Sequence, residues 1–207
     1  MSRFRNCESI CQAASWRALL LPGLTLLLVL STAFGCTTSP PADGPPQIII
    51  YTDFECGACG RLNSEVEPEL ISRYVDTGRA ELEIRFLATN PDSLRAAGAA
   101  LCAGDQDRFL EYQDALFRAW HSSGEDLETF SVDQLVALAS SLGLDAVAFR
   151  SCLESGAKEA EVERNMDLAL ADDVHTLPAV LIGDAGVEGY KPLSVYVDAI
   201  DRELEDN

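Results

Sequence analysis

The chain has 207 residues, a formal net charge of −19, 47% apolar residues and 24% charged ones, which is the balance of a folded globular chain with length for one substantial core. That acidity excludes nucleic acid and bare anionic membrane as partners held by charge. The basic residues are thirteen Arg and two Lys, and the charge alone names no substrate.

Residues 1–35 have the pattern of an export signal: Arg3, Arg5 and Arg17 precede the uncharged run "ALLLPGLTLLLVLSTAF". The run contains Pro22, Gly23, Thr25, Ser31 and Thr32, and it is short and polar for a bilayer-spanning helix. A processed signal is therefore expected, with an uncleaved anchor as the alternative. The run ends at "STAFGC", which resembles the lipobox of bacterial lipoproteins, with Ala33 and Gly35 in place before Cys36 and a bulkier Phe34 than is usual between them. The resemblance implies that Cys36 is lipidated and that residues 36–46, with "TTSPPADGPP", form a Pro-rich tether. Ordinary secretory cleavage is the third possibility. All three put residues 47–207 in the cell envelope outside the cytoplasm, where disulfides persist. Without residues 1–35, which hold three Arg and one Glu, the net charge becomes −21.

The β-branched run at 47–54, with Ile48, Ile49 and Ile50, predicts a buried strand. Two cysteines follow in "CGAC". Leu62, Val66, Leu70, Ile71 and Tyr74 then recur at helical spacing up to a stop at Gly78, with a kink expected at Pro68. "AELEIRFLA" alternates Leu82, Ile84 and Phe86 with Glu81, Glu83 and Arg85, which predicts a strand near a sheet edge. A strand, a helix and a strand in that order imply a parallel βαβ unit.

From 92 to 173 the pattern is helical. Phe109, Tyr112, Leu116, Phe117 and Trp120 share one face; Ser131 and Gln134 form a capping-box pattern; Asp145 and Gly156 bracket a further helix; and Val162, Met166, Ala169 and Leu170 define another. "PAVLIGD" and "GVEGY" then predict two short strands turning at Asp184, Ala185 and Gly186, before a last helix with Val197, Ile200 and Leu204 on its apolar face. The predicted order is βαβ, an all-helical insertion at about 92–173, then ββα, an α/β fold.

Cys56 and Cys59 stand at a strand-to-helix junction, and three kinds of chemistry use such spacing. A cysteine at a helix N-terminus has its thiolate stabilised by the helix dipole and free N–H groups, and a second thiol three residues on can resolve a mixed disulfide. A zinc site needs about four ligands, and no second CxxC exists while His121 and His175 lie far away. An inert crosslink has no need of that junction. Redox exchange is the expectation, with no metal and no cofactor.

"IIIYTDFECGACG", the βαβ unit, the inserted helices, "HTLPAVLIGD" and the closing hairpin and helix together resemble the DsbA-like branch of the thioredoxin superfamily, over roughly residues 45–205. The resemblance implies a thioredoxin fold in which Cys56 attacks or is attacked, Cys59 resolves, and a cis Pro178, preceded by Thr176 and Leu177, positions an extended substrate chain. It also implies exported proteins with cysteines as substrates and a membrane partner for reoxidation. From the residues alone, Pro178 is a strand-start proline and His175 a surface or packing histidine.

The chain departs from that family in two ways. Many relatives carry a buried acid six positions before the first cysteine, where this chain has Ile50. The intervening Gly57 and Ala58 supply no histidine, and Asp53 and Glu55 add like charge beside Cys56. A couple less oxidising than DsbA itself is expected. The rival readings are a catalytically idle thioredoxin-fold binding or assembly module and, third, a metal chaperone.

Cys102, in the small-residue stretch "AAGAALCAG", and Cys152, on a helix with Val147, Ala148 and Leu153, both read as core-facing. A structural disulfide between them is expected in an oxidising compartment. Two buried free thiols are the alternative.

Overall fold

A computed structural model describes residues 44–124 and 130–206; the expected signal, Cys36 and most of the tether lie outside the described residues. Strand β1 (Gln47–Thr52) leads through a short loop to α1 (Gly57–Glu65), α2 (Glu67–Leu70) and a π-helical turn (Ile71–Val75), followed by β2 (Glu81–Phe86). Five helices come next: α3 (Pro91–Gly104), α4 (Phe109–Ser123), α5 (Val132–Ser141), α6 (Ala146–Glu154) and α7 (Glu159–Ala171). The chain then returns to the sheet with β3 (Ala179–Ile182) and β4 (Ala185–Glu188) and closes with α8 (Leu193–Asp206).

The four strands lie in the order β2-β1-β3-β4. β1 and β2 run parallel with Ile50 opposite Ile84, and β3 is antiparallel to β1 with Val180 opposite Ile50. This is a thioredoxin fold with the helical insertion between its two halves, and β2 is at an edge.

Both faces of the sheet are covered. Ile48 and Ile50 join Leu62, Val66, Leu70, Tyr74, Tyr196 and Ile200 in one buried cluster under α1, α2 and α8. On the opposite face Tyr51 and Ala179 pack with Ala169 of α7 and with Val174. Each fully buried Ile contributes about 2–3 kcal/mol through removal of its surface from water. β2 accordingly departs from simple alternation: the Arg85 side chain is only 12% exposed, because α7 brings Asp172 over it. Arg85 pairs with Glu83 and also meets the Tyr51 hydroxyl at 2.8 Å, which itself donates to Asp172 at 2.6 Å.

Further departures from the periodicity have local causes. The helix after the cysteines breaks at Val66, one residue before α2, and Pro68 sits in the first turn of α2, where its missing N–H costs least. Ser131 is the N-cap of α5 but its side chain makes no capping bond, whereas Asp145 caps α6 with bonds to the N–H groups of Val147 and Ala148. Val147 is 81% exposed and Leu170 77%, so neither contributes to the core. The closing hairpin turns at Gly183 and Asp184, one residue earlier than the pattern predicts. Gly183 has φ +55°, and a Cβ there would run into the Glu203 carboxylate of α8, so glycine fits this turn on two counts.

Candidate active site

The end of β1 and the start of α1 hold the two cysteines. Cys56 is the N-cap of α1, with extended backbone (φ −92°, ψ 107°), and its Sγ accepts a hydrogen bond from the Cys59 N–H at 3.2 Å. Cys56 is half-buried and Cys59 is 1% exposed, so only the first sulfur can meet a macromolecular partner. The two form a disulfide with Cα atoms 5.2 Å apart. An acceptor at a helix N-terminus is stabilised further when it becomes an anion, which suits Cys56 to leave or attack as thiolate.

The second part of the site comes from a distant stretch of chain. Asp173, with φ 56°, turns the chain out of α7, and exposed His175 and Thr176 lead to a cis peptide bond between Leu177 and Pro178. Pro178 is buried ahead of β3, and its carbonyl accepts from Gly189 N at 2.8 Å, which ties this turn to the end of the hairpin. Leu177 is brought to Cys56. With Asp53, Glu55, Leu87 and Thr89 they line a cleft of about 260 Å³. On its other side Cys56 opens into a larger cleft of about 610 Å³ between α1 and α4, whose walls include Gly57, Gly60, Arg61, Phe117 and Trp120. A Cβ on Gly60 would come within 3.4 Å of the Phe117 ring, so glycine there lets α4 approach the cysteine helix closely.

Asp53 and Glu55, close to Cys56 in sequence, are held by two residues that the sequence reading did not name, Ser93 and Asn90. Asp53 is 8% exposed; its Oδ1 accepts from Glu55 N at 2.8 Å and its Oδ2 from the Ser93 hydroxyl. Asn90 caps α3 by accepting from the N–H groups of Asp92 and Ser93, while its Nδ2 donates to Glu55 Oε2 at 2.5 Å. The pair Asn90-Pro91, a capping residue before an N1 proline, was the readable signal that this helix starts beside the site.

Beneath α1, the position six residues before Cys56 is Ile50, 1% exposed in an apolar cluster. A buried carboxyl stands instead at the start of α2, on Glu67, 4% exposed, which accepts from Gln113 Nε2 of α4 at 2.7 Å. Burial pushes its pKa up to about 7, against the opposing hydrogen bonds of Gln113 and Asn63. Asn63 Oδ1 and Gln113 Oε1 are both buried without a hydrogen-bond partner.

Cys102 of α3 and Cys152 of α6 form a second disulfide, Cα atoms 5.9 Å apart, within the helical insertion and away from the cleft. Among the described residues no group of three or more His, Cys, Asp or Glu is placed to hold a metal ion.

Comparison with known proteins adds to this geometry. The family model described as thioredoxin matches residues 41–202. The "Probable disulfide bond formation protein D" of Bacillus anthracis is 26% identical over 167 residues, covering 79% of this chain and 76% of that one. Among solved structures, oxidised BdbD from Bacillus subtilis superposes with a TM-score of 0.66 at 20% identity, covering 79% of this chain and 89% of that one. DsbA from Chlamydia trachomatis gives 0.66 at 21% identity, with coverages of 89% and 96%.

Proposed function

The chain belongs to the thioredoxin family, in its DsbA-like branch of thiol-disulfide oxidoreductases, and from that premise we propose that it exchanges disulfides with exported proteins through Cys56 and Cys59. The observation that carries this reading is the half-buried Cys56 Sγ at the α1 N-terminus, sharing one cleft with Leu177 before the cis Pro178.

In the donating direction a substrate thiolate attacks Cys56 Sγ. The substrate–Cys56 bond forms, the Cys56–Cys59 bond breaks, and Cys59 leaves as a thiolate that takes up a proton. A second substrate thiolate then attacks the substrate sulfur of the mixed disulfide, and Cys56 leaves as thiolate. Two electrons have moved from the substrate dithiol to the protein. The helix N-terminus stabilises the Cys56 thiolate in this last step, and burial keeps Cys59 from reacting with outside partners.

Leu177 and Pro178 position the substrate strand beside Cys56, with Thr176 at its exposed approach. Cys102–Cys152 holds α3 to α6 as a structural crosslink. Residues 1–35 act as an export signal, Cys36 carries the lipid, residues 36–46 tether the domain, and a membrane protein reoxidises Cys56 and Cys59. These assignments place the protein in the cell envelope.

Incubating the oxidised protein with a reduced exported protein that bears two cysteines tests the reading. One disulfide should appear in the substrate for each Cys56–Cys59 pair reduced. Unchanged substrate thiols over hours would point to an idle scaffold.

A further inference from the structure

The stretch of chain that brings Leu177 to Cys56 is an arch with few bonds of its own. At its α7 end Val174 N–H donates to the Ala169 carbonyl at 2.9 Å, and at its β3 end the Pro178 carbonyl accepts from Gly189 N–H at 2.8 Å. Between these points stand exposed His175 and Thr176 and half-buried Leu177. Among the described residues the backbone groups of Thr176 and Leu177 make no hydrogen bond, so they are open to the backbone of an extended partner.

One side chain among the described residues bonds to the backbone of this arch. Glu188 is the last residue of β4, and its Oε1 accepts from His175 N–H at 2.9 Å. Glu188 lies opposite Ala179 in the sheet, beside the point where the arch enters β3. The next residue, Gly189, has φ +69°, supplies the bond to Pro178, and leaves room for the Thr176 methyl, 4.0 Å from where a Cβ on Gly189 would stand. The end of the hairpin thus holds the arch on both sides of Thr176 and Leu177. An exposed Glu on an edge strand ordinarily serves solubility; the bond to His175 N–H sets this one apart.

We propose that Glu188 is a positioning residue for polypeptide substrates: its carboxylate holds His175 N–H so that Thr176 and Leu177 present their backbone to the chain whose sulfur bonds to Cys56. The inference rests on the exchange reading above and deepens it. An arch fixed beforehand spares the entropy of ordering it when the substrate arrives. Loss of the bond therefore weakens capture of an extended chain and leaves the sulfur chemistry at Cys56 as it was. The donor is a neutral backbone N–H, so any acceptor oxygen in that place can serve, and Gln supplies one.

Oxidised full-length protein, as wild type, Glu188→Ala and Glu188→Gln, is mixed with a reduced two-cysteine peptide or with dithiothreitol, and reduction of Cys56–Cys59 is followed by acid quench and mass. With the peptide, Glu188→Ala should react about five-fold more slowly, as for the loss of one hydrogen bond. With dithiothreitol, which has no backbone to pair with the arch, it should match wild type. Glu188→Gln should stay within about two-fold of wild type with both. An unchanged peptide rate in Glu188→Ala, an equal slowing with dithiothreitol, or a Gln variant as slow as Ala would overturn the positioning role while leaving exchange intact. Failure of the wild-type protein to react with the peptide would overturn the exchange reading and this role with it.

Discussion

Replacing Glu67 by Gln should stabilise the protein at alkaline pH and change it little in acid. Glu67 is the buried carboxyl at the junction of α1, α2 and α4, and burial raises its pKa from 4.5 to about 7. Its folded pKa lies above its unfolded value, so the folded state binds the proton more tightly. Below about pH 4.5 the carboxyl is protonated in both states and no penalty arises. As pH rises through the window from 4.5 to 7 the unfolded chain ionises first and stability falls, reaching its full loss above pH 7. The shift converts to about 3 kcal/mol.

Gln has the same shape and no charge. Its carbonyl can accept from Gln113 Nε2 as Glu67 does, and it carries no charge for burial to penalise. The variant should therefore gain up to about 3 kcal/mol at pH 8, seen as a rise of roughly 6–12 °C in Tm, and the gain should fade towards pH 4.5. Thermal melts of both proteins, followed by circular dichroism across that range with the disulfides intact, measure it. Glu163→Gln at an exposed position controls for the loss of one negative charge. A difference between wild type and Glu67→Gln that stays flat with pH, or that matches the control, would refute the assignment of a penalised buried carboxylate.

Other substitutions probe other links. Cys59→Ser should accumulate mixed disulfides through Cys56, because attack proceeds without the resolving thiol; mass spectrometry that finds no reductant-sensitive adduct contradicts the exchange order. Removing Cys102 and Cys152 together should cost on the order of 4 kcal/mol, since the bond closes a separation of 50 residues; a loss under about 1 kcal/mol in denaturant titrations would mean that the bond constrains the unfolded chain little. Tyr51→Phe should lose about 1–2 kcal/mol, because the hydroxyl links Arg85 of β2 to Asp172 after α7; an unchanged denaturation midpoint argues against that link. Cys36→Ala should release the protein from membranes in a detergent-partition assay, and retention would favour an uncleaved leader.

Much of the architecture could be read from local patterns, because each element announces itself within a few residues. The Ile48–Ile50 run fits a buried strand better than a short helix, Leu82, Ile84 and Phe86 alternate as in a strand near a sheet edge, and "CGAC" at a strand-to-helix junction pointed to redox exchange over a metal site or an inert crosslink. Interactions over long separations could not be read in this way. Arg85 looked like a solvent-facing charge because its cover, Asp172, lies 87 residues on. Nothing next to Glu67 in the chain marks it as buried, because Gln113, which covers it from α4, lies 46 residues away. Val147 and Leu170 matched an apolar stripe yet face outward, since periodicity gives a face and not the neighbour that covers it. The acid wall of the cleft depends on Asn90 and Ser93 meeting Glu55 and Asp53, a pairing only the fold makes.

The central claim is that the Cys56–Cys59 bond is a reversible, working couple, and its reduction potential tests that most directly. After equilibration in glutathione buffers of graded ratio, with thiols trapped by acid and counted by mass, the couple should titrate between about −120 and −230 mV, the span from DsbA to the glutaredoxins. The acidic residues beside Cys56 predict a value below the DsbA end of that span. A potential under about −300 mV, the range of structural disulfides, would contradict the account.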